Sequence, residues 1–353
     1  MQELQSLEEQ GKRIEDVAEL KSQLQENYYD WFRITQFKSA SELNNIAWKD
    51  TQIFTLKPND IETLWTPISI NIPSNSRMMI AWNKWAIIDA SSDTSRWTLR
   101  PYNLSNNLEG CITALNSNWI YCYNNGWDIY MISKSAGIVP VWTEDWDFRS
   151  GIGWLWTYNS RNLYVFQSNV SSLGNMLLTR YQTNNDWTYA NFKWWSSYSI
   201  DASWVNFGTF SSFSIDGNFY GIADWKIYQF WREDVAWTSL RYRQINIKWS
   251  NPLTEKFSSN TKIMVNKDSR YIYIYDKDQQ LLTVYNSDPN KMNNTKITEF
   301  QLVYLFSLKF DIEWITVYDV DVPNSTWDRP EAYLLTSNGV NRIALYEYIE
   351  AIN

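Results

Sequence analysis

Histidine is absent from all 353 residues. That absence removes Ser-His-Asp and Cys-His nucleophile pairs, His-bearing zinc sites and the usual charge switch near neutral pH. The abundance of Asn, Lys, Ile and Tyr makes depletion in an A/T-rich genome a sufficient cause. Cysteine is nearly absent as well, and two thiols without histidine make a poor metal site. No apolar run approaches the roughly 18 residues of a membrane helix, and the first residues lack a charged-then-apolar signal pattern. The chain as given therefore reads as soluble, opening on a methionine inside a helical segment. A full-length start and a gene model missing an upstream portion fit that opening equally. No block of Lys or Arg exists and the net charge is −8, which leaves phosphate backbones nothing to hold and excludes nucleic acid as the expected partner. No cofactor motif is present. Gly151-Ile152-Gly153-Trp154-Leu155-Trp156 only superficially matches a dinucleotide loop, since no helical pattern follows it, and it reads as a flexible loop or a crossing between repeats.

Glycine is the scarcest residue relative to need, at 11 against 22 Trp, and many Trp stand where turns call for glycine. Asp216-Gly217-Asn218 opens one β-rich run, and Asp224-Trp225-Lys226 opens the next. Trp119, Trp127, Trp146 and Trp187 likewise follow Asn, Gly or Asp inside polar clusters. Such clusters mark tight turns because glycine tolerates a positive φ that tryptophan does not. Gly and Trp together make about 9% of the chain, close to the roughly 7% usual for glycine alone. The expectation is that Trp119, Trp127, Trp146, Trp187 and Trp225 are turn positions written from UGA codons that the source reads as glycine. The alternative is a true Trp-rich ligand face of stacked aromatics.

Met1 to Asp30 carries eight acids against three bases, a net −5. Within it Leu4, Leu7, Ile14, Val17, Leu20 and Leu24 recur at helical spacings. The segment 1–30 is expected to be a helical stalk, either coiled-coil-like and able to oligomerise or a single amphipathic helix packed on its neighbour. Residues 31–49 read as a linker. From residue 50 to 353 short runs of Ile, Val, Tyr, Phe and Thr alternate with turn residues, the pattern of many antiparallel strands.

Hairpins repeat. Ile120-Tyr121-Cys122-Tyr123 leads to Ile129-Tyr130-Met131-Ile132, and Leu163-Tyr164-Val165-Phe166 leads to Leu177-Leu178-Thr179-Arg180-Tyr181. Phe219-Tyr220, Ile272-Tyr273 and Ala332-Tyr333 open three more, with a weaker copy at Met78-Met79-Ile80. The tyrosines at 121, 164, 220, 273 and 333 are separated by 43, 56, 53 and 60 residues. Four strands per unit at this spacing predict an all-β fold, a β-propeller of six four-stranded blades. A degenerate seventh blade between Tyr189 and Phe213 and a stacked β-sandwich pair are the alternatives. Gln52-Ile53-Phe54-Thr55-Leu56 is expected to complete the last blade and close the ring.

Asp216-Gly217-Asn218-Phe219-Tyr220 through Asp224-Trp225-Lys226-Ile227-Tyr228-Gln229-Phe230, and Asp268-Ser269-Arg270-Tyr271-Ile272-Tyr273-Ile274-Tyr275-Asp276, resemble NHL- or YVTN-type propeller blades over roughly residues 50 to 350. The resemblance implies fold more than function. It implies an extracytoplasmic sensor or scaffold module of a membrane-anchored protein, a cytoplasmic location being the alternative.

Cys111 and Cys122 flank a hairpin turn and are placed on adjacent strands, either as a disulfide in an oxidising compartment or as two buried thiols. The acidic clusters Glu144-Asp145-Trp146-Asp147, Asp276-Lys277-Asp278 and Asp319-Val320-Asp321 read as solvated turn carboxylates rather than calcium loops. No catalytic, cofactor-binding or metal-binding residue is assigned. The expected function is non-catalytic binding of a protein or glycan partner on one face, and the alternative is a propeller glycoside hydrolase or lyase using paired carboxylates.

Overall fold

The computed structural model describes residues 19–20, 23, 34–37, 52–54, 67–74, 77–82, 85–90, 98–101, 108–113, 119–124, 128–133, 137–143, 152–158, 162–167, 176–183, 191–200, 210–232, 239–248, 256–265, 271–287, 299–309, 315–323, 329–337 and 339–350. Their β-branched and aromatic runs form strands because such side chains suit a pleated, half-buried surface. After β1 (Ile34–Gln36) and β2 (Gln52–Phe54) the chain builds antiparallel four-strand meanders. The first is β3 (Pro67–Ser74), β4 (Arg77–Trp82), β5 (Trp85–Ala90) and β6 (Thr98–Pro101). The second is β7 (Leu108–Thr113), β8 (Trp119–Asn124), β9 (Ile129–Ser133) and β10 (Gly137–Pro140), trailed by the short β11 (Trp142–Thr143). The third is β12 (Ile152–Tyr158), β13 (Asn162–Gln167), β14 (Met176–Thr183) and β15 (Asn191–Ile200). The fourth is β16 (Phe210–Ile215), β17 (Phe219–Ala223), β18 (Lys226–Arg232) and β19 (Ser239–Lys248). The fifth is β20 (Thr261–Val265), β21 (Tyr271–Asp276), β22 (Leu281–Ser287) and β23 (Glu299–Ser307). The last takes β24 (Val317–Asp321), β25 (Ala332–Thr336) and β26 (Gly339–Ile343) from the end of the chain and β2 from its beginning, with Gln52 opposite Asn341 and Phe54 opposite Val340. Joining the two ends of the chain in one sheet covers an edge that would otherwise stay open.

Cores lie between consecutive units, not inside them. Met79 and Ala81 of the first pack on Cys111, Ile120, Cys122 and Ile132 of the second. Tyr121 of the second meets Leu163, Val165 and Phe192 of the third, and Tyr164 and Phe166 of the third meet Phe210, Phe213 and Phe219 of the fourth. Tyr220 meets Ile263, Ile272 and Phe300 of the fifth, and Tyr273 meets Val317 and Leu334 of the last. The repeat tyrosines therefore stand on the second strand of successive units and face the unit that follows. Tyr333 stands on the same strand, between Ala332 and Leu334, which face backward, and its hydroxyl donates to Glu331 Oε2 at 2.9 Å. The alternation of a strand explains the pattern: one parity of residues serves each neighbour.

Residues 34–37, inside the stretch expected as a linker, add β1 parallel to β23 and bury Phe37 against Phe306. The short helix α1 (Leu345–Glu350) covers the same edge, with the Tyr348 ring edge-on to Phe306 at 5.1 Å. Of the expected stalk, Glu19, Leu20 and Gln23 are described and helical, Gln23 Nε2 donating to Glu19 Oε1 at 3.2 Å; the rest of 1–30 lies outside the described residues. The stretch Gly151 to Trp156, expected as a loop, instead lies largely in β12, because Leu155 and Trp156 find register partners in Val165 and Tyr164.

Trp225 and Asp224 form the two-residue turn between β17 and β18, with φ of +59° and +46°. Two successive positive φ values define the turn geometry that favours Asn-Gly or Asp-Gly. Trp225 is 42% exposed, with the Lys226 and Lys256 ammonium groups 5.0 and 5.9 Å from its ring. Trp119, expected in a turn, is instead the first residue of β8, half-buried, with Nε1 donating to Tyr121 Oη at 3.1 Å. Trp127, Trp146 and Trp187 lie outside the described residues. A left-handed non-glycine residue costs about 1–2 kcal/mol, and an exposed cation–π contact returns about 0.5–1 kcal/mol. Trp225→Gly should therefore stabilise the protein by about 0.5–1 kcal/mol in urea denaturation; a loss of stability would show that Trp225 contributes more through contacts than it costs in backbone strain.

Candidate functional site

The first strands of the units lie side by side: β3 contacts β7, β7 contacts β12, β12 contacts β16, β16 contacts β20, and β24 contacts β3. Lys262 of β20 bonds Asp319 of β24 and completes the circle. Each of these strands pairs with its own unit on one edge only, so the other edge faces the axis with main-chain groups to satisfy.

Register reveals how they are satisfied. Asn71, Ile112, Ser214, Met264 and Asp321 stand opposite Met79, Tyr121, Tyr220, Tyr273 and Tyr333, so they are equivalent positions of the repeat. Ser69, Gly110, Ser212, Lys262 and Asp319 form a second equivalent set, two residues earlier on the same strands. These positions reach across to the next first strand. Ser212 Oγ accepts from the Ile263 N–H at 2.8 Å, and Ser214 Oγ from the Val265 N–H at 3.2 Å. Asp319 Oδ2 accepts from the Ile70 N–H at 2.9 Å, and Asp321 Oδ2 from the Ile72 N–H at 2.8 Å. Ser69 Oγ donates to the Cys111 carbonyl at 3.4 Å. Lys262 directs its three donors at Asp319 Oδ1 and Oδ2, both 3.1 Å away, and at the Val320 carbonyl at 2.8 Å.

Inside this circle lies a cavity of about 370 Å³ lined by first-strand residues of five units, Tyr318 among them, together with Tyr123 and Tyr275 of second strands. Its acids are Glu109, Asp319 and Asp321 and its bases Lys262 and Lys277. Burial pushes the Asp321 carboxyl from its ordinary 3.8 up to about 6; Lys262 and the Ile72 N–H oppose that rise, and the Asp319 charge adds to it. Burial likewise pushes the Tyr123 hydroxyl up to about 12, with Glu109 contributing in the same direction. The Tyr275 hydroxyl, raised chiefly by burial, donates to the Val317 carbonyl at 2.7 Å. Gly110 has no side chain because the Tyr123 ring lies over it; a Cβ there would sit 2.8 Å from that ring.

Two of the three acidic clusters, expected as solvated turns, hold buried carboxylates. Asp319 and Asp321 belong to β24 and face the next strand, a role set by partners 249 residues away. Asp276 is buried at the end of β21 and gathers the Ser258 N–H and hydroxyl, both at 2.7 Å, and the Gln279 N–H at 3.0 Å. Asp278 is exposed, and Glu144 to Asp147 lie outside the described residues. Cys111 and Cys122 are direct partners on β7 and β8, joined as a disulfide with Cα atoms 4.1 Å apart and buried against Met79 and Ala81. Among the described residues no group of three His, Cys, Asp or Glu could hold a metal ion, and no helix is long and apolar enough to cross a membrane.

No family model matches the sequence, and no curated protein matches it. Among solved structures, the N-terminal domain of Nup159 aligns at 10% identity over 78% of this chain and 74% of that one, with a TM-score of 0.46. YCF48 from Cyanidioschyzon merolae aligns at 12% identity over 79% and 85%, with a TM-score of 0.44. A structure of YCF48 bound to D1 peptide aligns at 7% identity over 84% and 98%, with a TM-score of 0.39. These neighbours are propeller-like proteins.

Because the folded Asp321 holds its proton up to about pH 6 and the unfolded one only to about 3.8, the folded state binds more protons between these values. Stability contributed by the neutral carboxyl is complete below about pH 4 and is lost as pH rises through 6. Asp321→Asn keeps an acceptor for Ile72 and should flatten this slope, raising stability at pH 7.5 by about 1–3 kcal/mol. Urea denaturation at pH 4 and 7.5 measures it, and an unchanged slope would mean that Asp321 is not the group responsible.

Proposed function

We propose that the chain is a six-bladed β-propeller serving as a non-catalytic binding module, a scaffold or sensor that engages a protein or glycan partner on one face. The supporting observation is the use made of the axial carboxylates. Asp319 and Asp321 project from one face of a single strand and accept main-chain N–H groups of the same neighbouring strand, and Asp319 is bonded to Lys262, whose charge also acts on Asp321. Such commitments suit blade joining. A glycoside hydrolase or lyase is the second reading, favoured by the raised Asp321 beside Asp319 in a cavity, as a general acid is tuned. Glycosidic cleavage requires carboxyl groups on opposite sides of the scissile bond, about 5 to 10 Å apart. Two acids fastened to one neighbouring strand lack that opposition. Incubation with a panel of glycans should release no new reducing ends; release that disappears in Asp321→Asn would establish the hydrolase.

The same reading places the module in the cell envelope or outside the cytoplasm, within an exported or membrane-anchored protein. The buried Cys111–Cys122 bridge supports an oxidising compartment. It also takes the residue at 225 to be glycine in the protein as its source makes it, supported by the positive φ and exposure of that position. Mass spectrometry of protein isolated from its source should find glycine at 225 and a peptide cross-linked through Cys111 and Cys122. Tryptophan at 225 would refute the recoding, and two alkylatable thiols the compartment.

A further inference from the structure

We propose that the axial cavity binds a neutral, hydroxyl-rich ligand, a sugar ring presented free or at the end of a glycan chain, with the Tyr123 hydroxyl as a direct contact. This deepens the reading of the chain as a non-catalytic binding module and rests on it. At about 370 Å³ the cavity lies in the lower part of the range of small-molecule sites, roughly 300–1,000 Å³, and suits a ring or two better than a folded element.

Charge decides the class of ligand. Phosphate or sulfate recognition calls for convergent unspent cations, typically several Lys or Arg donors. Here Lys262 spends all three donors on Asp319 and Val320, and Lys277 is the other base on the wall, against the acids Glu109, Asp319 and Asp321. An anion therefore meets a wall with more acid than base. A cationic ligand would need convergent carboxylates, and with Asp319 and Asp321 already bound to Ile70, Ile72 and Lys262 only Glu109 remains, on a wall that also carries Lys277. What the cavity offers instead is groups able both to donate and to accept. The Tyr123 hydroxyl makes no hydrogen bond to any described residue, and Tyr318 of β24 also lines the cavity. Tyrosine hydroxyls adapt to a sugar hydroxyl in either role, and their rings give apolar C–H faces a surface to rest on. Ile68, Ile72 and Val322 supply further apolar wall. The Tyr123 ring and hydroxyl take the space that a side chain at Gly110 would fill, which sets Tyr123 on the cavity wall.

Calorimetric titration with free monosaccharides, together with binding to immobilised glycans ending in the same sugars, tests the proposal. Saccharide binding is expected, weakened about tenfold in Tyr123→Phe, the loss of roughly one hydrogen bond. The thermal midpoint of Tyr123→Phe, expected within a few degrees of the parent, separates a lost contact from a lost fold. Binding of free sugars identifies a small-molecule ligand; binding only to immobilised glycans identifies a chain end, and both support the site. Absence of saccharide binding in folded protein, affinity unchanged by Tyr123→Phe, or preferential binding of inorganic phosphate or free amino acids would overturn it. Hydrolysis of a bound glycan would overturn the non-catalytic reading and leave the site standing.

Discussion

The open inner edge of each first strand is the constraint on which the rest of this structure depends. A strand at the end of a sheet carries main-chain groups that water would otherwise satisfy, and each such group left unpaired in a buried setting costs about 1–3 kcal/mol. This chain places hydrogen-bonding side chains two residues apart on one strand to meet alternate N–H groups of the next: Ser212 and Ser214 onto Ile263 and Val265, Asp319 and Asp321 onto Ile70 and Ile72. The spacing of two follows from the strand period, since only residues of one parity face the next unit and only alternate N–H groups point to the open edge. Serine does this without charge. Aspartate does it at the junction between the last unit and the first, where Lys262 from a third unit supplies the compensating positive charge.

The cores obey the same geometry one layer further out. Because the parity that faces forward is aromatic on the second strands, Tyr121, Tyr164, Tyr220 and Tyr273 act as wedges between units, backed by Phe192, Phe219, Phe300 and the Val317 region. Each unit contributes half of two cores and completes neither, so the units stabilise one another in sequence and the ends must meet. The chain joins its ends twice, through β2 on β26 and through the two aspartates on β3. The edge of the fifth unit is closed separately by β1 and by the helix α1, both resting on Phe306.

Function and closure compete for the same residues. Acids gathered on an axis are the raw material of general acid and base chemistry, and burial has raised Asp321 in the direction such chemistry uses. In this protein Asp319 and Asp321 hold neighbouring strands together, which leaves Tyr123, Tyr318, Glu109 and Lys277 among the other polar side chains of the cavity wall.

Local chemistry alone specified the hairpins, the interval between their tyrosines and the adjacency of Cys111 and Cys122, because each follows from periodicity or from a turn a few residues away, and the pairing of Gln52–Phe54 with the end of the chain was expected from the need to close a ring of such repeats. The anomaly at Trp225 was equally legible, since a two-residue turn after Asp demands positive φ whatever lies around it. Trp119 was not, because Asn118-Trp119 resembles a turn and only the pairing of β8 with β9 fixes where the strand begins. The fate of Asp319-Val320-Asp321 was also hidden. Three residues of alternating polarity look the same at the end of a turn and at the heart of a ring, and the difference lies in Ile70 and Ile72, 249 residues distant, which only the closed tertiary structure brings within 3 Å. The packing of Ile34–Phe37 on Phe306 and the existence of the cavity have the same origin: they are properties of how the units meet, which no single repeat encodes.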